Sequence, residues 1–255
     1  MKKKMYLQFV LFFIVLFLWG PGVSKGFAEK EDILRADAIY NRAMLLMNSD
    51  PSLAMNELNS AKKLNPKDPK ILVAIGQIYF RQNKYQEAIE SFEKALQLDK
   101  NYVVAYSNLG YTYMALKEWN NAIQSFRMIL NYPNITAPHY VYNAIGWAYY
   151  EKNEFNKSIE ELKKAVELKN DYAVAHYNLG LSLLGLENFD HAFVEFKNAV
   201  KFQPELVQAH NQLALIYLKK NMKEEARKEF QKVMELAPDS LLAKEAKNYL
   251  NILDG

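Results

Sequence analysis

Apolar positions along this chain fall three and four residues apart in short blocks divided by polar turns, the spacing of amphipathic helices rather than strands. The blocks come in pairs with a period of about 34 residues. The second block of each pair carries a small residue followed four and seven places later by further packing residues. The series runs Ala54-Leu58-Ala61, Ala88-Phe92-Ala95, Ala122-Phe126-Ile129, Ser158-Leu162-Ala165, Ala192-Phe196-Ala199 and Ala226-Phe230-Val233. Twelve places before the small residue stand Gly76, Gly110, Gly146, Gly180 and Ala214, the first three followed three places later by Tyr79, Tyr113 and Tyr149. Helices approach closely only where side chains are small, so the pattern predicts antiparallel helical hairpins with Phe, Leu and Tyr filling the space beside each approach.

This period and residue pattern resembles the tetratricopeptide repeat. The resemblance implies an all-α fold, a right-handed solenoid of six helix-turn-helix repeats plus a C-terminal capping helix. One hairpin cannot bury its own apolar face, so stacked neighbours have to supply the core. Repeats are expected over about 32–68, 69–102, 103–138, 139–172, 173–206 and 207–238, within a repeat domain of 29–238. Asp68 can cap the helix that Pro69 opens, Thr136 the helix after it in the fourth repeat, and Pro66, Pro204 and Pro238 stop the helices before them. From 239 to 255 the pattern changes to one last helix. Ser240 is its expected N-cap, and Leu242, Ala246, Tyr249, Leu250 and Leu253 form one apolar face.

The segment 1–28 differs in kind. Lys2, Lys3 and Lys4 precede an uncharged apolar run from Met5 to Trp19, then Gly20-Pro21-Gly22 and the small-residue site Gly26-Phe27-Ala28. That arrangement reads as a secretory signal peptide over 1–28, cleaved after Ala28, with an uncleaved membrane anchor as the alternative. The apolar run is shorter than the ~20 residues that span a bilayer. The expected location is therefore exported and periplasmic, or membrane-anchored if the segment stays.

Removing the segment changes the charge. The chain has 32 Lys and Arg against 29 Asp and Glu, but Lys2, Lys3, Lys4 and Lys25 all lie within 1–28, leaving 28 against 29 and a net of −1. The basicity belongs to targeting, and nothing recommends a nucleic-acid partner. Half the residues are hydrophobic, enough for a sizeable core, and there is no Cys to supply disulfides, thiolate ligands or a thiol nucleophile. His139, His176, His191 and His210 show no metal-ligand spacing, and no phosphate-cradling glycine loop is present. His176 and His210 stand one repeat apart at a packing position filled elsewhere by Leu72, Tyr106 and Tyr142. No cofactor, no metal and no enzymatic activity are expected.

One interval breaks the period. The step from Gly110 to Gly146 is longer by two than the other glycine intervals, with the excess in Asn131-Tyr-Pro-Asn-Ile-Thr-Ala-Pro138. Together with Trp119-Asn-Asn-Ala-Ile-Gln-Ser-Phe126 and Asn143-Ala-Ile-Gly-Trp-Ala-Tyr149, this junction is similar to that between the third and fourth repeats of the six-repeat, pilotin-like type IV pilus biogenesis and stability proteins. The resemblance implies help in assembling the outer-membrane secretin through which pili emerge. Many members of that family carry a lipid-modified Cys after the signal, and Leu18-Trp19-Gly20-Pro21 has none. A secretin-binding or pilus-scaffolding role survives that departure, as does a general cell-envelope adaptor or chaperone with no pilus role.

Binding is the activity this architecture offers. Positions 2, 5, 9 and 12 of each first helix should line a concave groove. In the middle repeats these are Val104, Ser107, Tyr111 and Met114; Tyr140, Asn143, Trp147 and Tyr150; and Val174, Tyr177, Leu181 and Leu184, with Asn108 and Asn178 at the neighbouring position. Basic residues that would grip a C-terminal carboxylate are missing from these positions. The expected partner is a protein or peptide with apolar side chains, stacked on Tyr111, Trp147, Tyr150 and Tyr177, its backbone met by Asn143 and Asn178. The same aromatics could instead pack sideways between helices.

Overall fold

A computed structural model describes residues 21–254 of the protein, the side chains of 21–25 and 254 excepted. The apolar run Met5–Trp19, with the export reading placed on it, lies outside these residues. Thirteen helices and no strands are found among the described residues. They are α1 (Pro21–Leu46), α2 (Pro51–Leu64), α3 (Pro69–Arg81), α4 (Tyr85–Leu98), α5 (Val103–Ala115), α6 (Trp119–Leu130), α7 (Pro138–Glu151), α8 (Phe155–Leu168), α9 (Ala173–Gly185), α10 (Phe189–Phe202), α11 (Val207–Lys219), α12 (Lys223–Leu236) and α13 (Leu241–Asp254). The first helix begins ahead of residue 32, where the repeat periodicity starts, and runs through Ala28. None of the described helices is long and apolar enough to cross a membrane.

The chain forms two compact units, one ending at Thr112 and the other beginning at Tyr113. In the first, α1 packs on α2 and α3 on α4, and the core joins Ala36, Ala43, Leu58, Ile71, Ile75 and Ile78. In the second, α7/α8, α9/α10 and α11/α12 are hairpins stacked in order, and α13 closes on α12. Ser240 accepts the Ala243 N–H at 3.1 Å at the start of that last helix. Tyr249 lays its ring parallel to that of the fully buried Phe230, centroids 4.9 Å apart. Between hairpins, Arg127 of α6 donates to the buried Glu161 of α8 at 2.9 Å.

Three hairpins are set by a close approach of a glycine to a large side chain. A Cβ added at Gly76 would lie 2.5 Å from the Phe92 ring, at Gly146 2.5 Å from Leu162 and at Gly180 2.7 Å from the Phe196 ring. Those large side chains are fully buried and have nowhere to go. In the last hairpin Ala214 stands at this place opposite Phe230, so the pairing of small with large persists with one methyl more.

The turns within hairpins share one design. The Lys84, Glu154, Asn188 and Met222 N–H groups each donate at 2.9 Å to the carbonyl five positions back, on Tyr79, Tyr149, Leu183 and Tyr217. The residue before each donor is left-handed: Asn83, Asn153, Glu187 and Asn221, with φ between 57° and 60°. This is the Schellman ending of a helix, which prefers Gly or Asn at that position. Between hairpins the ends follow the proline signals: α2, α10 and α12 stop two positions before Pro66, Pro204 and Pro238.

One expected cap is corrected. Thr136 does not cap α7; the N-cap is Ala137, left-handed at φ 60° and without a side-chain cap bond. Pro138 takes the first helical position, and its ring disfavours the right-handed helical conformation for the residue before it. With Pro138 preorganised for the first helical position, Ala137 becomes the N-cap and Thr136 falls one position outside it. Asp68 does cap as expected, accepting the Lys70 N–H at 3.0 Å.

Two stability effects follow. Gly180→Leu should lower stability by about 1–3 kcal/mol through overpacking against Phe196, and an unchanged urea midpoint would contradict the close-approach account. Glu187→Gly should raise stability by about 1 kcal/mol, the cost of a side chain in the left-handed region. A melting temperature higher by about 2–4 °C would register it.

Candidate partner-binding site

The first helices of the second unit's hairpins carry almost no charge. Over α7, α9 and α11 the ionisable acids and bases, histidines aside, reduce to Glu151 and Lys219, each the last residue of its helix. Positions 2, 5, 9 and 12 recur one repeat later from α9 to α11, so Tyr177, Leu181 and Leu184 return as Asn211, Leu215 and Leu218. Leu215 and Leu218 extend the expected face by one repeat; the period alone would have found them.

On α7, Trp147 and Tyr150 stack on each other, ring centroids 5.0 Å apart and 26° from parallel, and both remain half-buried. Tyr150 also meets Phe155 at 5.8 Å. Tyr140, 48% exposed, packs edge-on against Tyr172 at 5.1 Å and lies 4.2 Å from the His139 ring. On α9, Tyr177 leans on the core ring of Phe196 at 5.8 Å, and Leu181 and Leu184 pack against the same core cluster. Tyr177 and Leu181 thus divide themselves between core and surface, and the Trp147–Tyr150 pair is likewise half-buried. Burial pushes the phenols of Tyr150 and Tyr177 above their ordinary value, which keeps the face neutral.

The amides behave differently from one another. Asn178 is 6% exposed, and its Nδ2 donates to Asn143 Oδ1 at 2.9 Å. Its backbone carbonyl accepts from Ser182 Oγ, which meets Ser158 Oγ at 2.8 Å, and Ser158 donates to the Gly146 carbonyl at 2.7 Å. A buried polar chain therefore runs from inside the hairpins to Asn143 at the surface. Asn178 holds Asn143 in place through this bond, and Asn143 is half-buried.

Met114 is half-buried on the last turn of α5. Asn108 and Tyr111 belong to the first unit. The Asn108 side chain donates to the Val104 carbonyl at 2.7 Å and accepts from Gln77 at 3.3 Å, and Tyr111 is 49% exposed. No cluster of three metal-ligating side chains occurs among the described residues.

Models of the TPR repeat match residues 76–117 and 146–187, and models of the tetratricopeptide repeat match 105–134 and 207–240, together more than half of the chain. The chain belongs to the tetratricopeptide-repeat family, whose helical solenoids are scaffolds for protein–protein interaction. Among curated relatives, the anaphase-promoting complex subunit CDC16 of Saccharomyces cerevisiae is 30% identical over 131 residues, 46% of this chain and 15% of CDC16. The chain spans at most about 16% of the length of the curated relatives it matches. The crystal structure of MamA is 29% identical, with a TM-score of 0.58 over 68% of this chain and 97% of MamA. That of PilW, a widely conserved type IV pilus biogenesis factor, superposes with a TM-score of 0.73 over 82% of this chain and 97% of PilW at 18% identity, a likeness of fold.

Replacing Asn143 by Ala leaves the buried Asn178 amide without its acceptor. We expect a loss of about 1–3 kcal/mol in urea unfolding; a variant as stable as wild type would mean that Asn178 is solvated and the polar chain ends short of the surface.

Proposed function

We propose that this protein is an exported, periplasmic scaffold that holds an apolar segment of a protein partner on the α7–α9–α11 face, in the service of type IV pilus and secretin assembly. The observation that carries the reading is the neutral, aromatic character of that face, with the stacked Trp147–Tyr150 pair at its edge and Asn143 held in place by the Asn178 amide. A charged or carboxylate-terminated ligand would lose its hydration there without gaining a countercharge, while an apolar one gains burial. Stacked, half-buried aromatics are the side chains on which binding energy concentrates. The pilus link is supported by the Pro-flanked junction at 131–138 and by likeness of fold to PilW. The export reading is supported by the Lys2–Lys4 and Met5–Trp19 pattern.

A second reading keeps the scaffold and drops the pilus: a general cell-envelope adaptor. It is favoured by the departure from the pilus family at Leu18-Trp19-Gly20-Pro21, where no Cys is present to carry a lipid.

Crosslinking and capture from envelope extracts of the native host, with the full chain beside a Trp147→Ala/Tyr150→Ala variant, tests both. Capture of a secretin or pilus-assembly protein by the wild type, weakened roughly 30-fold or more (about 2 kcal/mol) in the folded variant, is the expected result. Capture of other envelope proteins in its place would select the second reading, and equal capture by both forms would remove the partner from this face.

A further inference from the structure

Two hairpins of the second unit carry the same buried polar cluster. His176 on α9 and His210 on α11 stand one repeat apart and are 4% and 7% exposed. Nδ1 of His176 lies 2.6 Å from Glu195 Oε2 on α10, and Nε2 lies 2.9 Å from the carbonyl oxygen of Asn170, in the turn ahead of α9. His210 repeats the geometry: 2.5 Å to Glu229 Oε2 on α12 and 2.8 Å to the Pro204 carbonyl. The Phe202 ring stacks against His176 at 5.5 Å.

A carbonyl oxygen has no proton to give, and neither has an ionised carboxylate. Both ring nitrogens therefore donate, and only the imidazolium can do that. Taking one proton away turns one of the two bonds into a contact between lone pairs, and leaves a poorly solvated carboxylate without its countercharge. Each charged ring ties together the first helix, the second helix and the turn that enters the hairpin.

We propose that His176–Glu195 and His210–Glu229 are twin proton-operated clamps, holding the fifth and sixth hairpins closed while the rings are charged and loosening them when the proton leaves.

The surroundings agree. Among the described residues Glu195 is the one charged group acting on His176, and α7 and α8, which also pack on α9, add none. On His210 act Glu229, which favours the charged ring, and Lys232 of the same helix, which opposes it; α10 and α13 add none. Burial by itself pushes both rings down, yet the bonds to carboxylate and carbonyl, with the carboxylate's charge, hold both above the ordinary histidine value. His139 moves the opposite way, lowered by burial and by Lys169, and its buried Nε2 has no hydrogen-bond partner. Because the folded-state value is raised, the stability from each clamp is complete below the unfolded-state value and is lost as pH rises through the folded one.

Tyr177 and Asn211 follow the clamped histidines directly and occupy the fifth position of α9 and α11. Resting on the binding reading above, release of the clamps should loosen two of the three helices of the partner face, so that partner affinity falls as the pH rises.

The test is imidazole ¹⁵N NMR of the full chain, with His176→Gln and His210→Gln for assignment, beside urea unfolding from about pH 5.5 to about pH 8.5. Both rings should be doubly protonated and titrate above the ordinary value. The wild-type folding constant should fall tenfold per clamp for each pH unit separating folded and unfolded values, and the double variant should lack that fall. Rings that are neutral in mildly acid solution, or that titrate at or below the ordinary value, overturn the clamp whether or not the variants fold; so does an equal pH slope in the double variant. High titration with the expected slope, but with pH-independent partner affinity, upholds the clamp and counts against the binding face.

Discussion

The distance at which two helices can pass each other governs this protein. In three hairpins a glycine meets a fully buried Phe or Leu so closely that even one added carbon would overlap it. Such an approach fixes the hairpin, and the hairpin fixes the rotation of its first helix. The apolar stripe on one side of that helix is consumed by the core, while positions 2, 9 and 12 stay at least partly exposed in register with those of the next hairpin. Position 5 does so on α7 and α9 but not at the buried Asn211 of α11. A groove built this way inherits its geometry from the core rather than from the loops, and an interaction scaffold gains rigidity from that.

Rigidity of backbone leaves side-chain chemistry to decide what binds. The second helices carry much of the unit's charge and meet water, as in Lys164 with Glu160 and Lys232 with Glu235. The exposed sides of the first helices carry almost none. Within and between the hairpins the buried polar groups answer to one another: Asn178 to Asn143, Ser158 to Ser182, His176 to Glu195. A buried polar group of this kind is costly unless satisfied, which is why each appears with its partner, and why removing a single member should be felt well beyond its own contact.

The repeat period makes the hairpins, their small residues and the final helix legible in the sequence, because packing imposes the same spacing on every hairpin. The N-cap of α7 is not legible, since Pro138 displaces it from Thr136 to Ala137 through a local steric effect that no periodicity reports. Asn178 reads as a surface residue because it neighbours the groove positions, yet one step along a helix turns it by about 100° and carries the amide inward. The clamps are hidden for a third reason: His176 and Glu195 lie 19 residues apart on different helices, and a polar pair leaves no trace in an apolar pattern. The signal is present in another form, since Glu161, Glu195 and Glu229 follow one another at the repeat interval.

The matching of small to large residues across each hairpin bears on how such a chain can change. Gly180 fits Phe196, Gly146 fits Leu162 and Ala214 fits Phe230, and the members of each match lie on successive helices joined by a tight turn. A genetic crossover inside that turn would separate partners selected for each other, whereas one in the linker between hairpins would carry the match intact. The heritable module of this protein is therefore the whole hairpin, and duplication or loss of repeats should be tolerated at the proline-marked linkers long before it is tolerated at the left-handed turns.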